Sequence, residues 1–444
     1  MKYKVLIPLL LVAFVGVSWF SLFQGTYERT NSYHNLIKKA DESFEKELYQ
    51  QAYGYYEEAF QMNASEEVED KIIDSYRAFD EEQGTSSTHS AYLDSLNKAC
   101  ERFTGTEKYW EMAIRENMES EKYDKAMELC KAASREKIKS DAITELRKQV
   151  LYSFKLGGHA CSAYQNAVNG YFMVQTGTTR AMLSSDAEDY ESLDEVEVGG
   201  VGEDDIYLAK DMENRIRFVD LNGIIRGKVN LDISEFGVYS EGFCSAKYQD
   251  HYCFIDLDGN ILIDGLQYAG CFQNGKAVIQ NSEGKWAFID SKGKICTEYF
   301  DAIKVDYIGR YLFEDKVIVK EQGKYKLYDD EMKKEMKVLS ASEIDIPVEK
   351  GWVAYCEDGK WGFMDSDGEV KIKPQYESAK SFSNGLAAVC ENDMWGMINH
   401  NNELIVDYQF LDIGYMSEDG VCYVSDLLDY YQTLVFNFAN EFTK

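Results

Sequence analysis

The fold is decided by the stretch from Gly351 to Gly385, which reads GWVAYCEDGKWGFMDSDGEVKIKPQYESAKSFSNG. In this stretch an alternating apolar run is followed by a charged turn, a short apolar segment, a second turn and an extended segment. The same order recurs in residues 385–410, GLAAVCENDMWGMINHNNELIVDYQF, and in residues 275–300, GKAVIQNSEGKWAFIDSKGKICTEYF. A unit of this length that recurs along a chain is typical of a repeat architecture.

Every copy of the unit contains a triplet made of an aromatic or apolar residue, an apolar residue, and Asp or Asn. The seven triplets end at Asp220, Asp256, Asp290, Asp329, Asp365, Asn399 and Asn437. Their spacings of 36, 34, 39, 36, 34 and 38 residues indicate one repeated supersecondary unit. The segment that ends in the triplet begins with an aromatic residue in five copies, namely Tyr252, Trp286, Tyr325, Trp361 and Trp395. Glycine follows the aromatic residue in two copies, as Gly362 and Gly396.

These tryptophans, glycines and triplets resemble the WG-repeat family of KWG-type β repeats. The resemblance predicts an all-β domain of about seven repeats over residues 190–444, in which the aromatic residues and glycines above are structural. Period-two alternation predicts strands, and Asp258-Gly259 and Asp367-Gly368 predict tight hairpin turns rather than calcium loops. Each unit is therefore expected to be a hairpin with a third short strand. We expect the Trp361 indole to be buried in the core, so Trp361→Ala should lower the free energy of unfolding by about 3–5 kcal/mol.

The two ends of the β domain bear on whether the repeats form a ring. Tyr190–Gly199 aligns with Tyr376–Gly385, and the seventh repeat stops after its second strand near Asn440. The first segment is thus expected to supply the missing strand of the last repeat. A closed propeller-like ring is favoured because closure removes exposed sheet edges, and an open β-superhelix is the alternative. A disulfide between Cys356 and Cys390 would favour the open form, since radial blades hold these positions apart.

The region before the β domain has a helical pattern over residues 30–176, with apolar residues at three- and four-residue spacing. An Ala, a large residue and a second Ala recur as Ala52, Tyr56, Ala59 and as Ala126, Cys130, Ala133; weaker copies centre on Ala91 and Ala163, and Trp110 precedes Ala126 by sixteen residues. This arrangement resembles the tetratricopeptide (TPR) repeat, which predicts about four TPR-like helix pairs with a binding surface. An irregular helical bundle is the alternative. Residues 177–189, rich in Ser, Thr and acidic residues, are predicted to be a linker.

An uncharged apolar stretch, Val5–Phe23, follows Lys2 and Lys4 at the N-terminus. About 20 apolar residues cross a bilayer core, so residues 1–25 are predicted to contain a transmembrane helix that acts as an uncleaved signal-anchor. The positive-inside rule then places the N-terminus in the cytoplasm and the repeat domains outside it. The alternative is a signal peptide that is cleaved near Gly16–Ser18, which gives a secreted protein.

The chain is strongly acidic, with 47 basic and 78 acidic side chains in 444 residues. A net charge of −31 repels phosphates, which argues against a nucleic-acid-binding protein. None of the ten cysteines forms a CxxC motif, and the five histidines have no spacing typical of a metal site. Free, buried cysteines are the expected state. The sequence predicts no catalytic, cofactor-binding or metal-binding residues.

Together the two resemblances imply a membrane-tethered, non-catalytic interaction or scaffold protein that binds protein partners through its helical and WG-repeat surfaces. The alternative is an extracytoplasmic protein that binds glycan or cell wall, with surface aromatic residues stacked on sugar rings. Exposed Trp and Tyr on one face of the repeats would favour the glycan-binding protein. The sequence does not identify the partner or the oligomeric state.

Overall fold

The computed structural model describes residues 29–347, 351–427 and 430–442. The chain divides into two compact units, Met1–Val150 and Leu151–Lys444. The first unit is helical and the second is an eight-bladed β-propeller. The helices are α1 (residues 29–45), α2 (Tyr49–Met62), α3 (Glu66–Gln83), α4 (Ser86–Arg102), α5 (Glu107–Glu119), α6 (Tyr123–Arg135) and α7 (Asp141–Leu151).

Helix ends in the first unit follow from local capping. Gly84 ends α3 in the left-handed region at φ 59°, where a residue without Cβ is unstrained. The adjacent Thr85 then caps α4, because its hydroxyl accepts a hydrogen bond from the Thr88 N–H while the Thr88 hydroxyl accepts one from the Thr85 N–H. Successive helices contact one another along the chain, as expected for antiparallel hairpins.

The small residues of the predicted TPR-like pattern lie in the helix contacts. Ala52, Ala59, Ala126 and Ala133 are fully buried. They lie in α2 and α6, the second helices of their pairs, and Ala91 lies in α4 in the same way. The fourth predicted copy is wrong, because Ala163 belongs to a strand of the propeller. The described helices therefore form three pairs followed by α7.

The propeller contains eight sheets, here called blades 1–8, in the described residues. Blades 1–4 contain β2 (Ala163–Tyr164), β3 (Tyr171–Thr176), β4 (Thr179–Ser184) and β5 (Tyr190–Leu193); β6 (Glu197–Val198), β7 (Ile206–Lys210), β8 (Ile216–Asp220) and β9 (Ile225–Val229); β10 (Ile233–Ser240), β11 (Phe243–Tyr248), β12 (His251–Ile255) and β13 (Ile261–Leu266); and β14 (Tyr268–Ala269), β15 (Lys276–Gln280) and β16 (Trp286–Asp290). The segment after β16 pairs through the isolated bridges Trp286–Phe300 and Ile289–Ile295.

The second half of the propeller has the same antiparallel order. Blades 5–8 contain β17 (Ala302–Ile303), β18 (Leu312–Phe313), β19 (Lys316–Glu321), β20 (Lys324–Asp329) and β21 (Glu335–Leu339); β22 (Glu343–Ile344), β23 (Val353–Glu357), β24 (Lys360–Met364) and β25 (Val370–Tyr376); β26 (Ser378–Ala379), β27 (Leu386–Glu391), β28 (Met394–Asn399) and β29 (Leu404–Phe410); and β30 (Asp412–Ile413), β31 (Val421–Leu427), β32 (Tyr430–Phe436) and β1 (Phe154–Leu156). The strands of a blade are called inner, second, third and outer below; β18 is an addition between the inner and second strands of blade 5.

Neighbouring blades bury one apolar cluster at each of their eight contacts. The cluster between the last and first blades joins Phe172 and Val174 to Val421 and Tyr423. The ring is therefore closed, as predicted. A single blade cannot bury both of its apolar faces alone, and stacking the blades around an axis buries them.

The closure uses a different segment from the predicted one. The outer strand of blade 8 is β1, whose Phe154 and Leu156 pair with Phe436 and Leu434. The predicted closing segment, Tyr190–Gly199, instead ends blade 1 and begins blade 2. The prediction of seven three-stranded repeats is therefore wrong by one complete blade, and most blades have four strands rather than three.

The predicted domain boundaries also differ from the structure. The helical region ends at Leu151 rather than at residue 176, and the β domain begins before residue 190. The predicted linker, residues 177–189, contains strand β4 of blade 1. Its Ser- and Thr-rich composition was misleading because Ala181, Met182 and Leu183 form only a short apolar run and are nevertheless buried.

No helix among the described residues has the length and apolar character needed to cross a membrane. The predicted anchor, Val5–Phe23, lies outside the described residues.

Candidate functional site

The five predicted aromatic residues lie at equivalent places in the propeller. Tyr252, Trp286, Tyr325, Trp361 and Trp395 are at or next to the first residue of the third strand in blades 3–7. They are spread around the ring and form no common site. Tyr325 is buried, whereas the three tryptophans and Tyr252 are half-buried. The interpretation of Trp361 as a fully buried core residue is therefore wrong, and its replacement should cost less than about 3 kcal/mol.

Gly362 and Gly396 lie where the outer strand bulges towards the third strand. A Cβ on Gly362 would lie 2.5 Å from the Ile372 carbonyl oxygen and 2.6 Å from the Pro374 nitrogen. At Gly396 the same atom would lie 2.5 Å from the Val406 carbonyl oxygen. The close backbone approach predicted for the glycines of the motif agrees with these distances.

In blades 2–7 the Asp or Asn that ends the triplet closes the turn between the third and outer strands, whereas the Asn437 amide of blade 8 donates to the Ser153 hydroxyl next to β1. Asp220 accepts hydrogen bonds from the backbone N–H groups of Asn222 and Ile224, at 3.0 and 2.9 Å. Asp365 accepts equivalent bonds from Asp367 and Glu369, at 3.0 and 2.8 Å. The side-chain oxygen accepts hydrogen bonds from turn N–H groups that have no partner in a neighbouring strand. This explains why Asp and Asn recur at this place.

Blade 1 contains an eighth triplet that sequence reasoning missed. Met182-Leu183-Ser184 lies 36 residues before the triplet that ends at Asp220, a spacing found twice among the other copies. Ser184 replaces the acid, and its hydroxyl accepts a hydrogen bond from the Asp189 N–H at 2.9 Å. The spacing was thus a sufficient signal, and the Asp/Asn requirement concealed it.

The central channel of the propeller is divided by the long loop between the inner and second strands of blade 5. The Tyr307 hydroxyl donates a hydrogen bond to the Ala167 carbonyl oxygen of blade 1, at 2.8 Å. A Cβ on Gly270 of blade 4 would lie 2.6 Å from the Gly309 carbonyl oxygen, so glycine there admits the loop. This loop contains the extra residues behind the 39-residue spacing between Asp290 and Asp329.

Tyr307 lines two cavities. The first, about 510 Å3, lies among the loops that join inner and second strands and is lined by polar residues that include Asn169, Arg310 and Glu418. The second, about 570 Å3, is lined by the inner strands of blades 1, 3, 4 and 8 together with nearby tyrosines. We call these the loop cavity and the tyrosine cavity. Clefts of this size are in the range of small-ligand sites.

The loops that join inner and second strands form the face called here the inner-loop face. Eight exposed carboxylates lie in these loops: Glu203, Asp204, Asp205, Glu241, Glu314, Asp315, Glu418 and Asp419. No Lys or Arg in the described part of these loops is exposed. Arg310 is paired with Asp306 at 2.8 Å. Burial alone would lower the pKa of Arg310, but the Asp306 carboxylate stabilises its charged form and raises this pKa overall.

Hydrogen bonds between blades fix the inner-loop face. The Glu241 N–H donates to the Glu203 carboxylate at 2.6 Å, and the Gly275 N–H donates to the Glu241 carboxylate at 2.8 Å. On the opposite side of the ring, the Asn384 amide donates to the Glu418 carbonyl oxygen at 2.9 Å. These bonds join blades 2–4 and blades 7–8, so the loops and the carboxylates of Glu203 and Glu241 are held in place before any partner binds.

The helical unit brings one Ser-His-Asp set together that the sequence did not reveal. His89 Nδ1 lies 2.7 Å from an Asp80 carboxylate oxygen, and His89 Nε2 lies 2.7 Å from Ser120 Oγ. Acyl transfer also requires free N–H donors for an oxyanion. The N–H groups of Ser120, Glu121 and Lys122 all donate within the protein.

The position of Ser120 is equally unfavourable for such chemistry. Ser120 caps the C-terminus of α5, where helix carbonyl groups disfavour negative charge, and its hydroxyl donates to the Glu116 carbonyl oxygen at 2.7 Å. Asp80 lies near the end of α3, His89 near the start of α4 and Ser120 at the end of α5. The arrangement therefore supports a contact that joins helix ends, and it lacks the parts of an acyl-transfer site.

Cysteine and metal chemistry also lack a site in the part of the chain that the structure describes. All ten cysteines are free, and nine are buried, as predicted. Burial raises the pKa of Cys130 and of Cys253 to about 11, which disfavours the reactive thiolate. Cys356 and Cys390 form no disulfide, in agreement with the closed ring. No group of three or more His, Cys, Asp or Glu there is arranged to hold a metal ion.

Comparison with solved structures returned matches at low identity. Hsv2 of Kluyveromyces lactis is 10% identical, with 56% of this chain and 94% of that chain covered and a TM-score of 0.37. The Dos1 propeller is 11% identical, with 60% and 90% covered and a TM-score of 0.39. An inactive virginiamycin B lyase of Staphylococcus aureus is 13% identical, with 64% and 100% covered and a TM-score of 0.32. At these values no function is transferred from them.

Comparison with curated protein sequences returned no match. The family described as WG containing repeat matches residues 252–286, 361–395 and 395–425. Each match begins at the aromatic residue of a third strand and continues into the next blade. The prediction of WG-type repeats is therefore confirmed for these segments, which lie in blades 3–4, 6–7 and 7–8 of the propeller.

Proposed function

We propose that the protein is a non-catalytic interaction protein whose propeller binds a partner protein with a basic surface through the inner-loop face. The observation that carries the proposal is the set of eight exposed carboxylates in the loops between inner and second strands, without an exposed Lys or Arg in the described part of the same loops. Glu418 and Asp419 of this set line the loop cavity. Charge of one sign on a prearranged surface accelerates encounter with a partner of opposite charge and selects against others.

Tethering to a membrane belongs to the same proposal. The predicted anchor Val5–Phe23 would place both units outside the cytoplasm, where the propeller meets extracytoplasmic partners. The alternative glycan-binding protein requires exposed aromatic side chains on one face. The described tryptophans are buried or half-buried. The exposed tyrosines, Tyr190, Tyr299, Tyr307 and Tyr430, lie in or beside strands of four different blades. This distribution favours a protein partner over stacking of sugars on one aromatic face.

Neutralising three carboxylates tests the inner-loop face. The triple variant Asp204→Asn, Asp205→Asn, Glu418→Gln removes exposed charges and keeps the Glu203 and Glu241 carboxylates that bond between blades. Cross-linking in intact membranes, followed by mass spectrometry, should recover a basic partner with the wild-type chain and at least tenfold less with the variant. A chain without residues 1–25 serves as the control for tethering.

The matched control carries the same change in charge on the opposite face of the ring. Asp358→Asn, Asp393→Asn and Glu283→Gln neutralise two Asp residues at positive φ and one exposed Glu, all in turns between second and third strands. This variant should retain the partner. Equal loss in both variants would contradict binding through the inner-loop face, because it would reflect net charge alone.

A labelling experiment tests the absence of catalysis. A fluorophosphonate probe reacts with serines activated by a neighbouring base, and Ser120 is expected to remain unlabelled because no oxyanion donors surround it. Labelling of the wild-type chain that disappears in Ser120→Ala would overturn the non-catalytic proposal.

A further inference from the structure

The tyrosine cavity is lined by side chains that converge from five blades. Five tyrosines contribute to its wall: Tyr164, Tyr252, Tyr268, Tyr307 and Tyr431. The Tyr252 and Tyr268 rings lie 6.1 Å apart between centroids, and the Tyr164 and Tyr431 rings lie 5.1 Å apart. Aromatic rings at the wall of a cleft offer apolar faces together with hydroxyl groups.

One polar atom in this wall is buried without a partner. Asn166 Oδ1 has no hydrogen-bond partner among the described residues, although it is shielded from solvent. An unsatisfied buried acceptor is destabilising. Because Asn166 lines the tyrosine cavity, rotation of its side chain would present this oxygen to a ligand that supplies a hydrogen-bond donor.

The two carboxylates of the cavity wall are already neutralised by lysines. Glu235 pairs with Lys247 at 2.6 Å and also accepts a hydrogen bond from the Tyr252 hydroxyl. Asp412 pairs with Lys380 at 2.8 Å. No Lys or Arg is among the described residues that line the cavity. The wall therefore offers acceptors without a net charge that would select an ion.

We propose that the tyrosine cavity binds a neutral saccharide. A sugar ring presents apolar C–H faces that pack on aromatic rings and hydroxyl groups that donate to carboxylate and amide oxygens. Asn166 Oδ1, Glu235 and Asp412 are acceptors for these hydroxyls, and Tyr164 and Tyr268 supply ring faces. A volume of about 570 Å3 is sufficient for a disaccharide-sized ligand.

The saccharide site is distinct from the inner-loop face that binds the proposed partner. Tyr307 lies between the loop cavity and the tyrosine cavity and lines both. The acidic variant of the inner-loop face should therefore bind saccharide as the wild type does. Loss of partner binding and loss of saccharide binding can then be distinguished.

Saturation-transfer NMR on the full chain tests the site with cellobiose, maltose and N,N′-diacetylchitobiose as probes. At least one of these sugars, at about 10 mM, is expected to receive saturation from the wild-type protein. Asn166→Ala should weaken binding at least tenfold while the melting temperature stays equal or rises, because the variant removes an unpaired acceptor. Tyr268→Leu should also weaken binding, because it removes a ring face.

Asn97→Ala is the matched control for Asn166→Ala. Asn97 Oδ1 is likewise buried without a partner, but it lies in α4 of the helical unit. This variant should bind the sugar as the wild type does. Absence of transfer to all three sugars would overturn the proposal, and so would unchanged binding by Asn166→Ala. Transfer to choline but to none of the sugars would replace the saccharide with an organic cation and would equally overturn it.

Discussion

Blades 6 and 7 carry the Trp-Gly pair, whereas blades 2 and 5 have the same fold without it. In blade 6 the pairs Trp361–Tyr376 and Phe363–Ile372 enclose one residue on the third strand and three on the outer strand. Blade 7 has the same shift between Trp395–Phe410 and Met397–Val406. In blade 5, Tyr325, Lys326 and Leu327 pair in regular succession.

The difference teaches that the glycine of the motif reports a bulge in the outer strand rather than a binding site. In blades 6 and 7 the bulged backbone occupies the place of a side chain on the third strand, so glycine is required at Gly362 and Gly396. Where the bulge is absent, as in blades 2 and 5, Arg217 and Lys326 occupy the equivalent position. The motif therefore varies between blades while the fold is kept.

The largest effect is expected from the aromatic residue of a blade without the motif. Tyr325 is 7% exposed and packs in the cluster between blades 5 and 6, so Tyr325→Ala should lower the free energy of unfolding by about 3–4 kcal/mol. Trp361→Ala should cost about 2 kcal/mol, because the indole is only half-buried. Urea denaturation of both variants measures the difference. A greater loss for Trp361→Ala would contradict the burial that separates them.

The second effect tests the bulge itself. Gly362→Ala places a Cβ within 2.6 Å of two backbone atoms and should cost about 2–3 kcal/mol. Lys326→Ala at the equivalent position of blade 5 loses only surface ion pairs with Glu321 and Glu335, so its cost should be clearly smaller. Thermal unfolding of the pair measures the contrast. Equal costs would show that the bulge does not explain the glycine.

A smaller effect is expected at the triplet acid of blade 6. Burial alone would raise the pKa of Asp365, but hydrogen bonds from Lys371 and from the Glu369 N–H outweigh it and hold this pKa below its usual value. Asp365→Ala should cost about 1–2 kcal/mol, because two turn N–H groups lose their acceptor.

The lowered pKa of Asp365 also predicts that the stability of the protein falls at acidic pH. Because the folded-state pKa of Asp365 is lowered, its stabilisation is present above the ordinary value of 3.8 and is lost as the pH falls through the folded value. Asp365→Asn keeps an acceptor oxygen for the turn and should reduce the loss of stability between pH 5 and pH 3. Denaturation curves at both pH values measure it. An unchanged acid dependence would refute the role of the charge.

The smallest effect is expected at His400 of blade 7. Its ring stacks on Phe382 at 4.3 Å, and burial lowers the pKa of His400 below 6.5. The unfolded chain therefore binds a proton first as the pH falls, and the folded state loses stability below about pH 6.5. His400→Leu, which copies Leu221 of blade 2, should reduce the change in stability between pH 7.5 and pH 5.5. Melting temperatures at the two pH values measure it, and an identical slope in the variant would exclude His400 as the cause.

Sequence reasoning located most of the propeller and misplaced its beginning. The seven triplets were visible because a turn needs the same Asp or Asn in each copy, and all seven lie at the end of a third strand. Blade 1 was missed because Ser184, rather than Asp or Asn, accepts the hydrogen bond in its turn. The helical prediction then extended over Ala163, where a small residue at the expected spacing fits either structure.

The candidate sites could not be predicted from the sequence. Glu235, Asn166 and Tyr268 are far apart along the chain and have no motif, and only the ring brings them to one cavity. The same holds for Asp80, His89 and Ser120 in the helical unit. Nothing in the local sequence marks these residues, because their neighbours are set by contacts between separate blades or helices.

The sequence by itself determined the repeat unit, its alternating strands, its turns and the places where glycine is required, because these depend on backbone geometry within some forty residues. Only the tertiary structure decided that Phe154–Leu156 closes the last blade and that Tyr307 divides the channel. Phe154–Leu156 is only three residues long, too short to show an alternation that would predict the strand with which it pairs. Its pairing with β32 follows from the number of blades that fit around one axis.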